Sequence, residues 1–249
     1  MLMEQYGDYF SAAGLCLNQE KCSVIVFRSK KKTKEIVMNG AVEEKKVKLL
    51  GLWVDSRYEF MDHVNHLIKV CSYKLSCLRK VAKWLTDDNL KLVVTSLIIS
   101  HISYCSEIYL RLPKTRSKIQ KLINAAARVA TRGDRYTNCE TMMSKLEWFN
   151  ADNLYRNQLL TSLRRQLGTG SSFYMQKWLD FQSRSGMRTR LIRLTWKHLN
   201  NFGKLAYLQA AVKEWNKLEV GRKLFEDMKA FKEWIRKEIH RLYGNSNLR

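Results

Sequence analysis

A chain of 249 residues that is 45% hydrophobic can bury one large core or two small ones. Its 45 Lys and Arg against 23 Asp and Glu give a formal charge of +22, and with seven Trp and eleven Tyr this points to nucleic acid more than to a membrane surface. The competing reading is a merely basic soluble protein. The longest apolar stretch, Leu92–Ile99, is interrupted by Thr95 and Ser96 and is far too short to span a bilayer.

Residues 1–13 read as a helix stopped near Gly14. Val24-Ile25-Val26-Phe27 has the continuous β-branched and aromatic pattern of a buried strand. Asn39-Gly40, between Ile36–Met38 and Ala41-Val42, is a strong hairpin signal because both turn residues tolerate positive φ. Val47–Asp55 supplies a further strand. Beyond Tyr58 the period becomes helical. Val64, Leu67, Ile68, Cys71, Leu75, Leu78 and Leu85 form one stripe, with Lys69, Lys74, Arg79 and Lys83 on the other side.

Thr86 is the predicted N-cap of a second helix, with Asp87 and Asp88 opposing its dipole, and this helix runs on to end before Pro113. A third helix, about Thr115 to Arg132, buries Ile119, Leu122, Ile123, Ala126 and Val129-Ala130 and is closed by Gly133. Leu154, Leu160, Leu163 and Leu167 mark one more helix, ended by the Gly168–Ser172 turn. Ser183–Leu194 is arginine-rich with weak periodicity, and helical spacing returns over Leu205–Leu218 and Ala230–Tyr243, stopped by Gly244. The single proline, Pro113, suits long helices with few enforced breaks. The expected class is α+β and predominantly helical, with segments at 1–58 (β-rich), 59–150 (helical) and 151–249 (basic and helical). Net charge climbs across them, from +2 in residues 1–60 through +8 in residues 61–150 to +12 in residues 151–249.

The six cysteines include no C-x-x-C, which removes zinc-ribbon and thioredoxin readings, and several lie on apolar stripes as free thiols. A reducing compartment, nucleus or cytoplasm, follows. The start MLMEQYGDYF lacks the features of a signal peptide. His63-x-x-His66 is a partial zinc pattern with no third and fourth ligands at suitable spacing, so ordinary packed or surface histidines are expected. For His101, a hydrogen-bonded structural role is expected. No acid is placed to orient a dyad between it and Cys105.

Several blocks are co-linear: Gly14-Leu15-Cys16-Leu17-Asn18 with Lys21 and the apolar Val24–Phe27; Leu49-Leu50-Gly51-Leu52-Trp53-Val54-Asp55; Ser96-Leu97-Ile98 through His101 to Tyr104-Cys105; and Asn124–Arg128. Arg188-Thr189-Arg190, Trp215-Asn216-x-Leu218 and Phe231-Lys232 follow in order. Together they resemble the part of LINE-type, jockey-like non-LTR retrotransposon reverse transcriptases that follows the catalytic aspartates, over about residues 10–240. Glu219 stands where that family has proline. The resemblance implies the end of a palm with a hairpin and a primer-grip-like strand in residues 1–58, a helical thumb in 59–150 and a C-terminal extension in 151–249.

The resemblance also implies RNA-directed DNA polymerase machinery that grips a template–primer duplex. The family's aromatic-x-Asp-Asp metal turn lies just upstream of the first block, and Met1 falls after it. Magnesium is therefore implied only for an intact family member, no cofactor for this chain, and no synthesis from it alone. The one Asp-Asp pair, Asp87-Asp88, reads as helix-cap acids. No catalytic or metal residue is assigned. Nucleic-acid contacts are expected at Lys114, Lys118, Lys121, Arg128 and Arg132 on one side of the third helix, and at Arg184, Arg188, Arg190 and Arg193. Gly51 suits a strand site where a nucleic-acid backbone comes close, and a β-bulge explains it equally well. The partners expected are nucleic acid, no membrane, and the fingers–palm portion of a longer chain. A retained binding module of a dead element and a non-functional remnant are the alternatives.

Overall fold

The computed structural model describes residues 2–16, 18, 22–27, 37–38, 41–168, 179–183, 190–194, 207–218 and 227–244. Most of these are helical, and the described strands form two-stranded antiparallel ribbons, an α+β chain dominated by helix. Contacts divide it into two compact units, Met1–His63 and Val64–Arg249.

In the first unit α1 spans Leu2–Ala12 and ends where expected. Gly14 takes φ +71 and the Leu15 N–H reaches back to the Phe10 carbonyl at 2.8 Å, closing the helix through a left-handed glycine. Strands β1 (Val37–Met38) and β2 (Ala41–Val42) pair on either side of residues 39–40, which lie outside the described residues. The buried strand expected at Val24–Phe27 does not form. Val24 makes one parallel bridge to Glu43, and Phe27 is exposed, its ring stacked on Tyr58 at 4.3 Å. A run of apolar residues becomes a strand only if a partner supplies a ladder, and here the described pairing stops after one bridge.

The strand expected over Val47–Asp55 is a hairpin instead. Strands β3 (Lys46–Leu49) and β4 (Leu52–Asp55) pair in full register, from Lys46 opposite Asp55 to Leu49 opposite Leu52. Leu50 (φ 46) and Gly51 (φ 89) make the two-residue turn. Positive φ at both positions matches the right-handed twist of the flanking strands. Gly51 is thus a turn glycine, not a residue within a strand. Asp55 then organises the next five residues, accepting the N–H groups of Arg57 (3.0 Å), Glu59 (3.0 Å) and Phe60 (2.6 Å). That network holds Tyr58 and Phe60 at positive φ and delivers Phe60 into a buried position.

Helix α2 (Met61–Val81) buries Val64, Leu67, Cys71, Leu75 and Leu78 of the stripe read from the sequence, leaves Ile68 half-buried, and runs into a 3₁₀ turn, Ala82–Trp84, so that Leu85 lies beyond it. Thr86 caps α3 (Asp87–Val94), its hydroxyl accepting the Asn89 N–H. The expected continuous helix is broken. After α3 come a π-helical turn (Thr95–Ile99) and the short α4 (Ser100–Ser103); Cys105 then takes a left-handed conformation before α5 (Ser106–Tyr109). The buried Tyr109 hydroxyl donates to the Ile102 carbonyl and ties the two sides of the break together.

Helix α6 (Pro113–Thr131) starts with proline at its first position, where no N–H is needed, and buries every apolar residue assigned to it. It packs on α3, on α7 (Cys139–Leu146) and on α8 (Ala151–Gly168). Arg132, not Gly133, takes the left-handed closing position (φ 52). A Cβ at Gly133 would sit 2.9 Å from the Met142 sulfur, so the Met142 side chain would have to shift to admit one.

Strands β5 (Leu179–Ser183) and β6 (Arg190–Leu194) form a ribbon where the sequence showed only weak periodicity. Helices α9 (Tyr207–Trp215) and α10 (Met228–Tyr243) pack on α8. Their shared core holds Leu159, Leu163, Val212, Trp215, Phe231 and Ile235.

Candidate nucleic-acid interface

Steps of four, three, seven and four residues keep Lys114, Lys118, Lys121, Arg128 and Arg132 on one side of α6, over about 27 Å of helix. The structure gives them different work. Lys114 and Lys121 are exposed, and the Lys118 ammonium donates to Asn65 on α2 at 2.9 Å. Arg128 is half-buried against α7, with Nη2 3.3 Å from the Cys139 sulfur. Arg132 turns back into the protein. It donates to the Ala82 and Leu85 carbonyls and pairs with the Asp87 carboxylate. A guanidinium among carbonyls at a helix end is electrostatically favoured.

At this end of α6 the chain forms an open cleft of about 680 Å³ lined by Arg79, Arg128, Arg132 and Arg135 with Ala82, Val129, Gly133 and Asp134. Four guanidiniums meet one lining carboxylate. Asp134 accepts the N–H groups of Tyr136 and Thr137, each at 2.8 Å, and the Thr137 hydroxyl. These bonds, the hydroxyl's first, hold its carboxyl below the usual aspartate range. It is therefore ionised at neutral pH and fixes the turn that carries Arg135 and Tyr136. A cleft with this excess of guanidinium suits phosphate, which takes paired N–H donors.

Sequence spacing placed Arg128 and Arg132 together. Arg79 had been assigned to the polar side of α2, but nothing local signalled that it would meet α6, and Arg135 was not singled out at all. Their convergence is tertiary. Of the remaining assigned residues, Gly51 lies in the β3–β4 turn of the first unit. Arg190 and Arg193 lie on β6, opposite Ser183 and Asp180, and their odd spacing sets those positions on opposite faces of the ribbon. Arg184 and Arg188 fall outside the described residues.

His63 is buried and His66 exposed. Among the described residues no group of three or more His, Cys, Asp or Glu side chains could hold a metal ion. His101 is largely exposed, with Nε2 3.2 Å from the Lys74 ammonium; partial desolvation of the ring, then that charge, lowers its pKa. A second cleft of about 400 Å³ sets Arg116, Arg156 and Lys213 against Asp152 and Glu214, and two of the cations are paired: Arg116 with Asp152 at 2.6 Å and Arg156 with Glu214 at 3.7 Å. No described helix is long and apolar enough to cross a membrane.

The chain matches no protein-family model, no curated protein and no solved structure.

Proposed function

We propose that this chain binds nucleic acid through the exposed basic side of α6 and the arginine cleft at its end. In this reading it serves as the thumb and flanking segments of a LINE-type reverse transcriptase, gripping template–primer by its backbone. The ordered blocks from Gly14 to Phe231 support the family. The observation that carries the binding itself is the convergence of Arg79, from α2, with Arg128, Arg132 and Arg135, from the end of α6 and the turn after it, on one cleft. Arg132 builds the wall, and Arg79, Arg128 and Arg135 supply the positive charge.

Contacts of this kind position a phosphate backbone without reading bases, so sequence preference is weak. Nucleotidyl transfer is assigned to none of these residues. Magnesium-dependent synthesis belongs to a chain that also carries the palm carboxylates. The nucleus or cytoplasm is the proposed location, since the cysteines among the described residues are free.

Binding to a blunt duplex, followed by fluorescence anisotropy across salt concentrations, tests the proposal. Affinity should fall steeply with salt, and R79Q, R128Q and R135Q should each reduce the logarithmic slope by about one. Salt-independent binding, or slopes unchanged in all three variants, would overturn it. Primer extension with magnesium should yield no incorporation from this chain alone.

A further inference from the structure

Two large aromatic side chains that the fold does not bury sit next in the chain to segments that line the arginine cleft. Trp84 is 77% exposed and Tyr136 is 90% exposed. A single exposed aromatic carries little meaning, but these two belong to separate segments that each contribute lining residues to the same basic cleft. Trp84 ends the 3₁₀ turn whose Ala82 lines the cleft, and Tyr136 follows Asp134 and Arg135, which line it too.

Both are held by polar bonds in place of apolar packing. The Arg132 guanidinium grips the carbonyls of Ala82 and Leu85 on either side of Trp84. The Lys83 ammonium sits 4.9 Å from the centre of the Trp84 ring. The Asp134 carboxylate clamps the Tyr136 N–H at 2.8 Å, fixing the backbone beneath its ring. Tryptophan and tyrosine are usually well buried, and leaving both rings in water forfeits the burial that would stabilise the fold. Aromatic rings beside a cationic groove are the physical requirement for unpaired bases: each base has a π-face to stack, and its phosphate needs a cation within reach. Paired bases in a duplex have their faces occupied by their neighbours and gain nothing from such rings.

The geometry points to a binding site for single-stranded nucleic acid at this cleft. Phosphate sits among Arg79, Arg128 and Arg135, and neighbouring bases stack on Trp84 and Tyr136. The inference rests on the nucleic-acid reading above and narrows it to the unpaired strand at this site.

The test uses the full chain and four probes: a short single-stranded DNA of mixed sequence, its RNA counterpart, an abasic strand of the same length, and a blunt duplex. The double variant W84A/Y136A should bind both base-bearing single strands about tenfold or more weakly. Its affinity for the abasic strand and the duplex should stay at the wild-type level. W84F and Y136F, which keep a stacking face, should remain within about twofold of wild type. Because both side chains are exposed, the thermal melts of all variants should overlay.

Equal weakening on the abasic strand, or wild-type affinity of the double variant for base-bearing strands, would overturn the site. Duplex binding that persists in either case leaves the broader proposal standing. Failure of the wild type to bind any of the four probes would overturn both.

Discussion

Arg132 shows how a cation on an apparently basic helix face can be taken up by the fold. Its guanidinium satisfies carbonyls at the end of the α2 region and pairs with the Asp87 carboxylate at the start of α3, while its backbone closes α6 in the left-handed region. The ion pair is partly exposed, with Asp87 71% accessible, so most of the stabilisation comes from the bonds to the carbonyls. R132A is therefore expected to destabilise by about 1–2 kcal/mol and D87A by less than about 1 kcal/mol, read from urea melts. A larger loss for D87A than for R132A would show the assignment to be wrong. Spacing along α6 identified Arg132 as a face residue, and it could not show that the side chain folds back, because the carbonyls it meets lie about fifty positions away. Gly51 is the converse case. The sequence marked it as special, and its actual use, the second residue of a tight turn, depends on the pairing of β3 with β4.

Elements were readable where the cause is local. Most of the α2 stripe and the apolar positions of α6 follow from three- and four-residue spacing, the Thr86 cap from its hydroxyl before two acids, and the structure reproduces them. The break at Tyr104–Cys105 was not readable, since no glycine or proline marks it and the bond across it comes from Tyr109. The start of α8 is another element set from a distance. Asn150 caps it in the ordinary way, accepting the Asn153 N–H at 2.8 Å. The buried Ala151 N–H, however, is taken by the Gln120 side chain of α6 at 2.7 Å, while Gln120 Nε2 donates to Asn124 at the same distance. Gln120 was invisible as a functional position in the sequence because a polar residue on a long helix usually faces water. Replacing it with leucine, similar in volume, leaves the Ala151 N–H without its acceptor inside the protein. Q120L should cost about 1–3 kcal/mol in denaturant melts with unchanged slope, and amide exchange at Ala151 should accelerate. Wild-type stability and exchange would mean that the bond contributes nothing to the docking of α8.

At the scale of the whole chain, a charge of +22 makes the folded state self-repelling and ties its stability to pH. Protons matter most where burial opposes charge. His240 on α10 stacks on Phe149 with ring centres 4.9 Å apart, and burial, then the Arg236 charge, lower its pKa from 6.5 against a weaker pull from Glu147. His101 is lowered in the same sense by burial and Lys74. Above the ordinary histidine value both folded and unfolded chains hold these rings neutral, and the stability they contribute is complete. As pH falls below it the unfolded chain takes up protons that the folded chain refuses, and stability is lost until the folded pKa is passed. Glu107 works in the opposite direction, because burial raises its carboxyl and the folded form binds the proton more readily. Comparing a variant with wild type cancels that contribution. H240F keeps an aromatic ring against Phe149 and removes the titration, so its melting temperature should decline less than wild type between about pH 7 and 5. Parallel declines for the two proteins would show that His240 protonates equally well in the folded chain, and that α10 does not shield it.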